Sequence, residues 1–168
     1  SMSLIRVIIL DFDGVLAESN DVKMRAFEEF CGEYPECGED MLAYHMEHIS
    51  LSRMHKFRYY IDEIIGTPGD DEMIESMAKR FSAIVKQRVI ECPPVAGAVE
   101  FLEEFSSQLP LYVSSVTPSQ ELNDILEGRG IKKYIKEAFG DPPCRKAEAI
   151  RTILDRENAQ PEQVVFIG

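Results

Sequence analysis

A chain of 168 residues, 45% hydrophobic and 29% charged, is long enough for one well-packed domain, or for a small domain carrying an inserted one. Its formal net charge of −12 excludes the basic surface that nucleic acid or an anionic membrane would need, although a bound metal or a few local cations can reverse the field inside a cleft. No apolar stretch approaches the roughly 20 residues of a bilayer span, and none has the form of a signal-peptide core. Ser1-Met2-Ser3 is set aside as an expression scar. Cys31, Cys37, Cys92 and Cys144 lack C-x-x-C spacing and the density of a disulfide scaffold. Reduced thiols in a cytoplasmic protein are the expectation, with a zinc site from Cys31, Cys37 and the histidines as the alternative.

In chain order, Leu4 to Leu10 is apolar apart from Arg6 and predicts a strand buried on both faces of a parallel sheet. From about Ala17 to Glu91 the pattern is helical only. Four stripes follow one another: Val22, Ala26, Phe27 and Phe30; Leu42, Met46 and Ile49; Met54, Phe57, Ile61 and Ile64; Met73, Met77, Phe81 and Ile84. Asp70, Asp71 and Glu72 suit the positive N-terminal end of the fourth helix. Four such helices can bury their stripes as a small bundle, and Cys92-Pro93-Pro94 then reads as a stiff return linker. Beyond it a helix (Val99, Leu102, Phe105) precedes a strand, Leu111-Tyr112-Val113, that ends in Ser114-Ser115. A helix (Leu122, Ile125, Leu126) stops at Gly128 and Gly130, a third carries Ala147, Ile150 and Leu154, and a last strand runs Val164 to Ile167. The expected architecture is α/β: a Rossmann-like parallel-sheet core over residues 1–16 and 93–168, interrupted after its first strand by a helical-bundle cap over residues 17–92.

In open parallel sheets ligands bind beyond the carboxyl ends of the strands. Asp11 and Asp13 stand there, two apart, and Gly14 allows a close turn. By themselves two acids before a glycine fit a solvated turn as well as a reactive pair. Their setting decides between the two. The order of segments resembles the haloacid dehalogenase superfamily, in its capped phosphatases similar to phosphoglycolate phosphatase and β-phosphoglucomutase. The first family motif is matched by Val7-Ile8-Ile9-Leu10-Asp11-Phe12-Asp13-Gly14-Val15-Leu16, and the second by Leu111-Tyr112-Val113-Ser114-Ser115-Val116-Thr117-Pro118. Arg145-Lys146-Ala147-Glu148-Ala149-Ile150 matches the third, and Val164-Val165-Phe166-Ile167-Gly168 begins the fourth.

The resemblance implies Mg²⁺-dependent phosphoryl transfer. Asp11 would be the nucleophile and a metal ligand. Asp13 would protonate the leaving oxygen, deprotonate the later water, and touch the metal through its backbone carbonyl. Ser115 would hydrogen-bond a phosphoryl oxygen, with Ser114 the choice if the alignment slips by one, and Lys146 would supply a cation, with Arg145 the alternative by spacing. The family's fourth motif carries Asp after the glycine, where this chain stops. The expectation is a truncated chain that binds Mg²⁺ weakly and turns over slowly, or else a degenerate member.

A cap in this family chooses the substrate, which directs attention to Glu18, Ser19, Lys23 and Arg25 and to Arg53 and Lys56. Gly14, Ser114, Lys23, Arg53 and Lys56 are the candidate substrate-binding residues. Arg53, Lys56 and Arg58 would suit a second anionic group on the substrate; a solvated helix face is the alternative. His45, His48 and His55 are expected as surface residues of the cap. The function expected is a phosphatase acting on a small phosphorylated metabolite. A phosphomutase of the same superfamily, and a non-catalytic binding domain, are the alternatives. Halide displacement from carbon is disfavoured, because that branch lacks the second acid and Asp13 is present. No nucleic-acid or membrane partner is expected, and the oligomeric state is left open.

Overall fold

The computed structural model describes residues 4–168, so the Ser1-Met2-Ser3 segment lies outside the described residues. Four parallel strands form one sheet in the order β3-β2-β1-β4: β1 (Val7–Leu10), β2 (Leu111–Ser115), β3 (Glu137–Gly140) and β4 (Val164–Ile167). Every residue of β1 and β2 is buried, as central strands covered on both faces must be. The register sets Leu10 of β1 beside Val113 of β2 and Ile167 of β4, so β1 and β4 end level and β2 runs two residues further, to Ser115. β1 is shorter than the apolar run that announces it. Leu4 is 81% exposed, and the chain joins the sheet only after Arg6 donates its N–H to Gln163 O at 2.8 Å.

Alternation of side chains along the strands gives the sheet two covered faces. Val7, Ile9 and Tyr112 pack with Ile153 and Ala159, and with Phe139, Ile150, Leu154 and Val164 around them. Ile150, Ile153 and Leu154 come from α7 (Lys146–Glu157), a helix that buries only its sheet-facing stripe. Helices α5 (Ala98–Phe105) and α6 (Ser119–Gly128) bury Leu102 and Leu122, Ile125 and Leu126 respectively. β3 had no strand signal in the sequence: it is a short edge strand paired only with β2, and its buried residues are Ala138 and Gly140.

The described chain divides into two compact units, one reaching Asn20 and resuming over Ile90–Gly168, the other Asp21–Val89. Residues 17–20 and 90–92 thus fall with the sheet. There the two connecting segments pair with each other, Glu18 N–H to Pro93 O at 2.8 Å and Val95 N–H to Leu16 O at 3.2 Å.

The second unit is entirely helical: α1 (Asn20–Gly32), α2 (Gly38–Glu47), α3 (Arg53–Tyr59) running into a π-helical turn (Tyr60–Ile65), and α4 (Asp71–Glu91). Asp70 Oδ1 accepts the Met73 N–H at 3.1 Å and so caps the start of α4. Phe27, Phe30, Phe57 and Phe81 form its centre, with ring centroids 4.3 Å apart for Phe27–Phe81 and an edge-on Phe30–Phe81 pair at 5.9 Å. Two expectations fail here. The stripe on α2 is rotated: Met41 and His45 are buried, whereas Met46 and Ile49 are 52% and 58% exposed. And His45 is no surface histidine, since its ring stacks on Phe27 at 3.8 Å.

Candidate active site

Asp11 is the first residue beyond β1. Its backbone N–H still donates to Ile167 O at 2.8 Å, so the strand geometry carries on to the reactive position. Its side chain is about one-third exposed at the carboxyl edge of the sheet, with Oδ1 accepting the Phe12 N–H at 2.8 Å and Oδ2 3.6 Å from Lys146 Nζ. One oxygen is held and the other faces a cation. Lys146 opens α7, and its ammonium also lies 4.7 Å over the Phe166 ring on β4. Lys146 and not Arg145 stands within ion-pair distance of Asp11; Arg145 is the residue preceding the helix and is exposed.

After Asp11 the chain curls back on itself. Val15 and Leu16 N–H both bond Phe12 O, and Gly14 N–H bonds Ala17 O at 2.9 Å. Gly14 has φ +74°, a backbone angle that favours glycine, and a Cβ there would lie 2.6 Å from Asn20 Nδ2, the end of a flexible amide that would have to shift. The curl brings Ser19 under Asp13, whose Oδ1 accepts the Ser19 hydroxyl at 2.5 Å.

Ser114 and Ser115 end β2 and are both buried. Ser115 Oγ accepts the Thr117 N–H at 3.1 Å. A hydroxyl that accepts in this way still has its own proton to give, and the Ser115 hydroxyl makes no other hydrogen bond among the described residues. Asp11, Asp13, Gly14, Ser114, Ser115 and Lys146 therefore gather at the carboxyl edge of one sheet.

Lys23, Arg53 and Lys56 belong to the helical unit and gather there. Arg53 and Lys56 are 6% and 2% exposed, so the solvated-face alternative is wrong for both. Lys56 Nζ lies 2.9 Å from His45 Nδ1, 3.3 Å from Ile49 O and 5.0 Å over the Phe27 ring. Burial first, then the charges of Arg53 and Lys23, bring the Lys56 ammonium down to about 8. Burial and then Lys56 hold His45 down at about 4. Arg53 donates to Ser82 Oγ at 3.3 Å with its guanidinium 4.7 Å over Phe81. His45 was missed as a partner because nothing in the sequence distinguishes a core histidine from a surface one.

Among the described residues no group of three His, Cys, Asp or Glu side chains is placed to hold a metal, which leaves the zinc alternative without a ligand set. All four cysteines are free thiols, Cys31 and Cys92 buried. Mg²⁺ asks for less, because it keeps several waters and takes one or two carboxylates with the substrate's phosphate. The Asp11 carboxylate and the Asp13 carbonyl are oxygen donors of that kind, and a Cβ at Gly168 would come within 3.9 Å of Asp11 Oδ2. No helix among the described residues is long and apolar enough to cross a membrane.

A family model described as haloacid dehalogenase-like hydrolase matches residues 8–168. No curated protein sequence matches the chain. Among solved structures, a haloacid dehalogenase-like family hydrolase from Streptococcus pneumoniae is 23% identical with a TM-score of 0.68, the match covering 98% of this chain and 75% of that one. A structure described as a predicted phosphoglycolate phosphatase from Haemophilus somnus has a TM-score of 0.71 at 15% identity, covering 99% and 77%. A magnesium-bound hydrolase from Bacillus subtilis, YfnB, has a TM-score of 0.65 at 17% identity, covering 99% and 80%. At these identities the structures establish the fold.

Proposed function

Since the chain belongs to the haloacid dehalogenase-like hydrolase family, we propose that it is a phosphatase that hydrolyses a small phosphorylated metabolite through an aspartyl phosphate on Asp11. The observation that carries this reading is the Asp11–Lys146 pair at 3.6 Å on the carboxyl edge of the sheet. A lone carboxylate repels a phosphate; one with a cation beside its free oxygen can meet it.

Asp11 Oδ2 attacks phosphorus, the ester P–O bond breaks, and Asp13 gives its proton to the departing alkoxide. Water then attacks the phosphorus of the aspartyl phosphate, its proton passes to Asp13, and Asp11 is released. Ser115 donates its unused proton to a phosphoryl oxygen, and Lys146 offsets the charge that develops there. Mg²⁺, held by the Asp11 carboxylate and the Asp13 carbonyl, would supply neutralisation of the charge between nucleophile and phosphate. Gly14 and Ser114 border the phosphate; within the helical unit, Lys23, Arg53 and Lys56 are proposed to favour a substrate with a second anionic group.

A panel of phosphorylated metabolites, assayed for inorganic phosphate with and without Mg²⁺, tests this. Release should require Mg²⁺ and vanish in Asp11→Asn. Acid-quenched wild-type chain should carry a phosphoryl group that the variant lacks. Phosphate release surviving in Asp11→Asn would sink the proposal. So would isomerisation of a hexose phosphate with no net phosphate release, which is the mutase outcome.

A further inference from the structure

Phe166 is an aromatic residue 38% exposed on β4, in a sheet whose two central strands are fully buried. The ammonium of Lys146 lies 4.7 Å over its ring. The register of α7 on β4 sets this contact. Val164 and Ile150 both pack against the buried cluster of Val7, Ile9 and Ile153. Phe166 follows Val164 by two strand residues on the same side, about 7 Å on; Lys146 precedes Ile150 by four helix residues, about 6 Å back. Gly168 leaves the ring its room, since a Cβ there would come within 3.1 Å of Phe166 Cε1.

We propose that Phe166 is a positioning residue for Lys146, its ring holding the ammonium beside the nucleophilic oxygen of Asp11 without letting it close on that oxygen. This rests on the phosphatase reading above. Lys146 Nζ stands 3.6 Å from Asp11 Oδ2, whereas an ammonium donating to a carboxylate settles at about 2.7 to 2.9 Å. At that contact it would draw on the lone pair that has to attack phosphorus. A half-exposed lysine on a flexible four-carbon stem is not fixed by packing, so a second attraction must hold it at the longer distance. An aromatic face supplies one, because its quadrupole attracts a cation without carrying a net charge. That attraction also outlasts the first half-reaction. There Oδ2 forms its bond to phosphorus, the ester P–O bond breaks, and the negative charge of the Asp11 carboxylate is gone. In the second, water displaces Oδ2 and restores the carboxylate beside the same ammonium. Phe166 acts throughout by way of Lys146.

A double-mutant cycle tests this, with kcat/KM measured on the best substrate of the metabolite panel and thermal melts of every variant. Phe166→Leu keeps an apolar side chain but has no negative face. It should lower kcat/KM by about two- to fivefold, the worth of an exposed cation–π contact. Phe166→Tyr, which keeps the face, should bring the value back to within about twofold of wild type. In a Lys146→Met chain, Phe166→Leu should change kcat/KM by less than about 1.5-fold, because no ammonium is left for the ring to hold. A loss that is equally large in the Lys146→Met chain, or that Phe166→Tyr does not reverse, would mean that the ring only packs and would overturn the proposal. An unchanged kcat/KM in Phe166→Leu would overturn it too. If Phe166→Leu does not fold, pentafluorophenylalanine at position 166, close in size but with the ring polarity reversed, should give the same loss; wild-type kcat/KM there would overturn the proposal. Failure of the wild-type chain to hydrolyse any phosphate ester would instead overturn the phosphatase reading from which the proposal starts.

Discussion

Lys146 Nζ stands 3.6 Å from Asp11 Oδ2 while lying 4.7 Å over the ring of Phe166. The ammonium is thus held between a carboxylate and an aromatic face, half-exposed, in reach of an incoming phosphate. Lys146→Met should lower kcat/KM by about 10² to 10³, the usual cost of removing one charge-stabilising group. Its melting temperature should hardly move, because a half-exposed pair contributes little to stability. Lys146→Arg should recover part of the rate. Parallel steady-state kinetics and melts check this; a Lys146→Met chain with wild-type kcat/KM would remove Lys146 from the mechanism.

In the helical unit, the pairing of Lys56 with His45 gives a pH dependence of stability. Both groups titrate lower in the folded chain than in the unfolded one, His45 at about 4 against 6.5 and Lys56 at about 8 against 10.5. Within each window the unfolded chain binds more protons, so stability rises with pH across it. Stability from His45 is fully present above 6.5 and is lost as pH falls through about 4, by up to about 3 kcal/mol. The Lys56 contribution adds stability from about pH 8 to 10.5 and is absent at neutral pH. Urea titrations at several pH values measure both. In Lys56→Met the alkaline rise should disappear, and KM for a substrate with a second anionic group should increase several-fold. An alkaline rise that persists in Lys56→Met would assign it to another group.

The sheet was legible where the chain is apolar on both faces: β2 and β4 match their runs, and β1 occupies the end of its own. Where burial is carried by small or polar residues the signal disappears. β3 buries only Ala138 and Gly140, and the first unit therefore holds one more strand than the sequence shows. In α3 and its π-helical turn the buried residues are 53, 56, 57, 60 and 61, a regular stripe of helical spacing. Two of the five are cations, so hydropathy found Phe57 and Ile61 but began the stripe at Met54 in place of Arg53 and passed over Lys56. The grouping of Asp11 with Lys146 could be anticipated from motif order alone. The Ser19 hydrogen bond could not, since it depends on a turn whose tightness no periodicity reports.

The aromatic centre of the helical unit should be its most sensitive point. Phe81 is fully buried and touches Phe27, Phe30 and Phe57. Phe81→Ala should cost about 3 to 5 kcal/mol, the range for truncating a buried aromatic ring. Equilibrium denaturation measures the loss; a cost below about 1 kcal/mol would mean that the three remaining rings close the gap.

Gly14 carries two separable penalties for any side chain. At φ +74° an L-residue meets backbone strain of roughly 1 to 2 kcal/mol. Its Cβ would also sit 2.6 Å from Asn20 Nδ2, a flexible amide end that can move aside. Gly14→Ala should therefore lower the melting temperature by about 3 to 8 °C. Asn20→Ala in the same chain should return the clash portion and leave the strain. The double-mutant cycle should show a favourable coupling of about 0.5 to 1 kcal/mol between positions 14 and 20. Full additivity would show that the amide already yields without cost, leaving backbone angle as the whole reason for glycine.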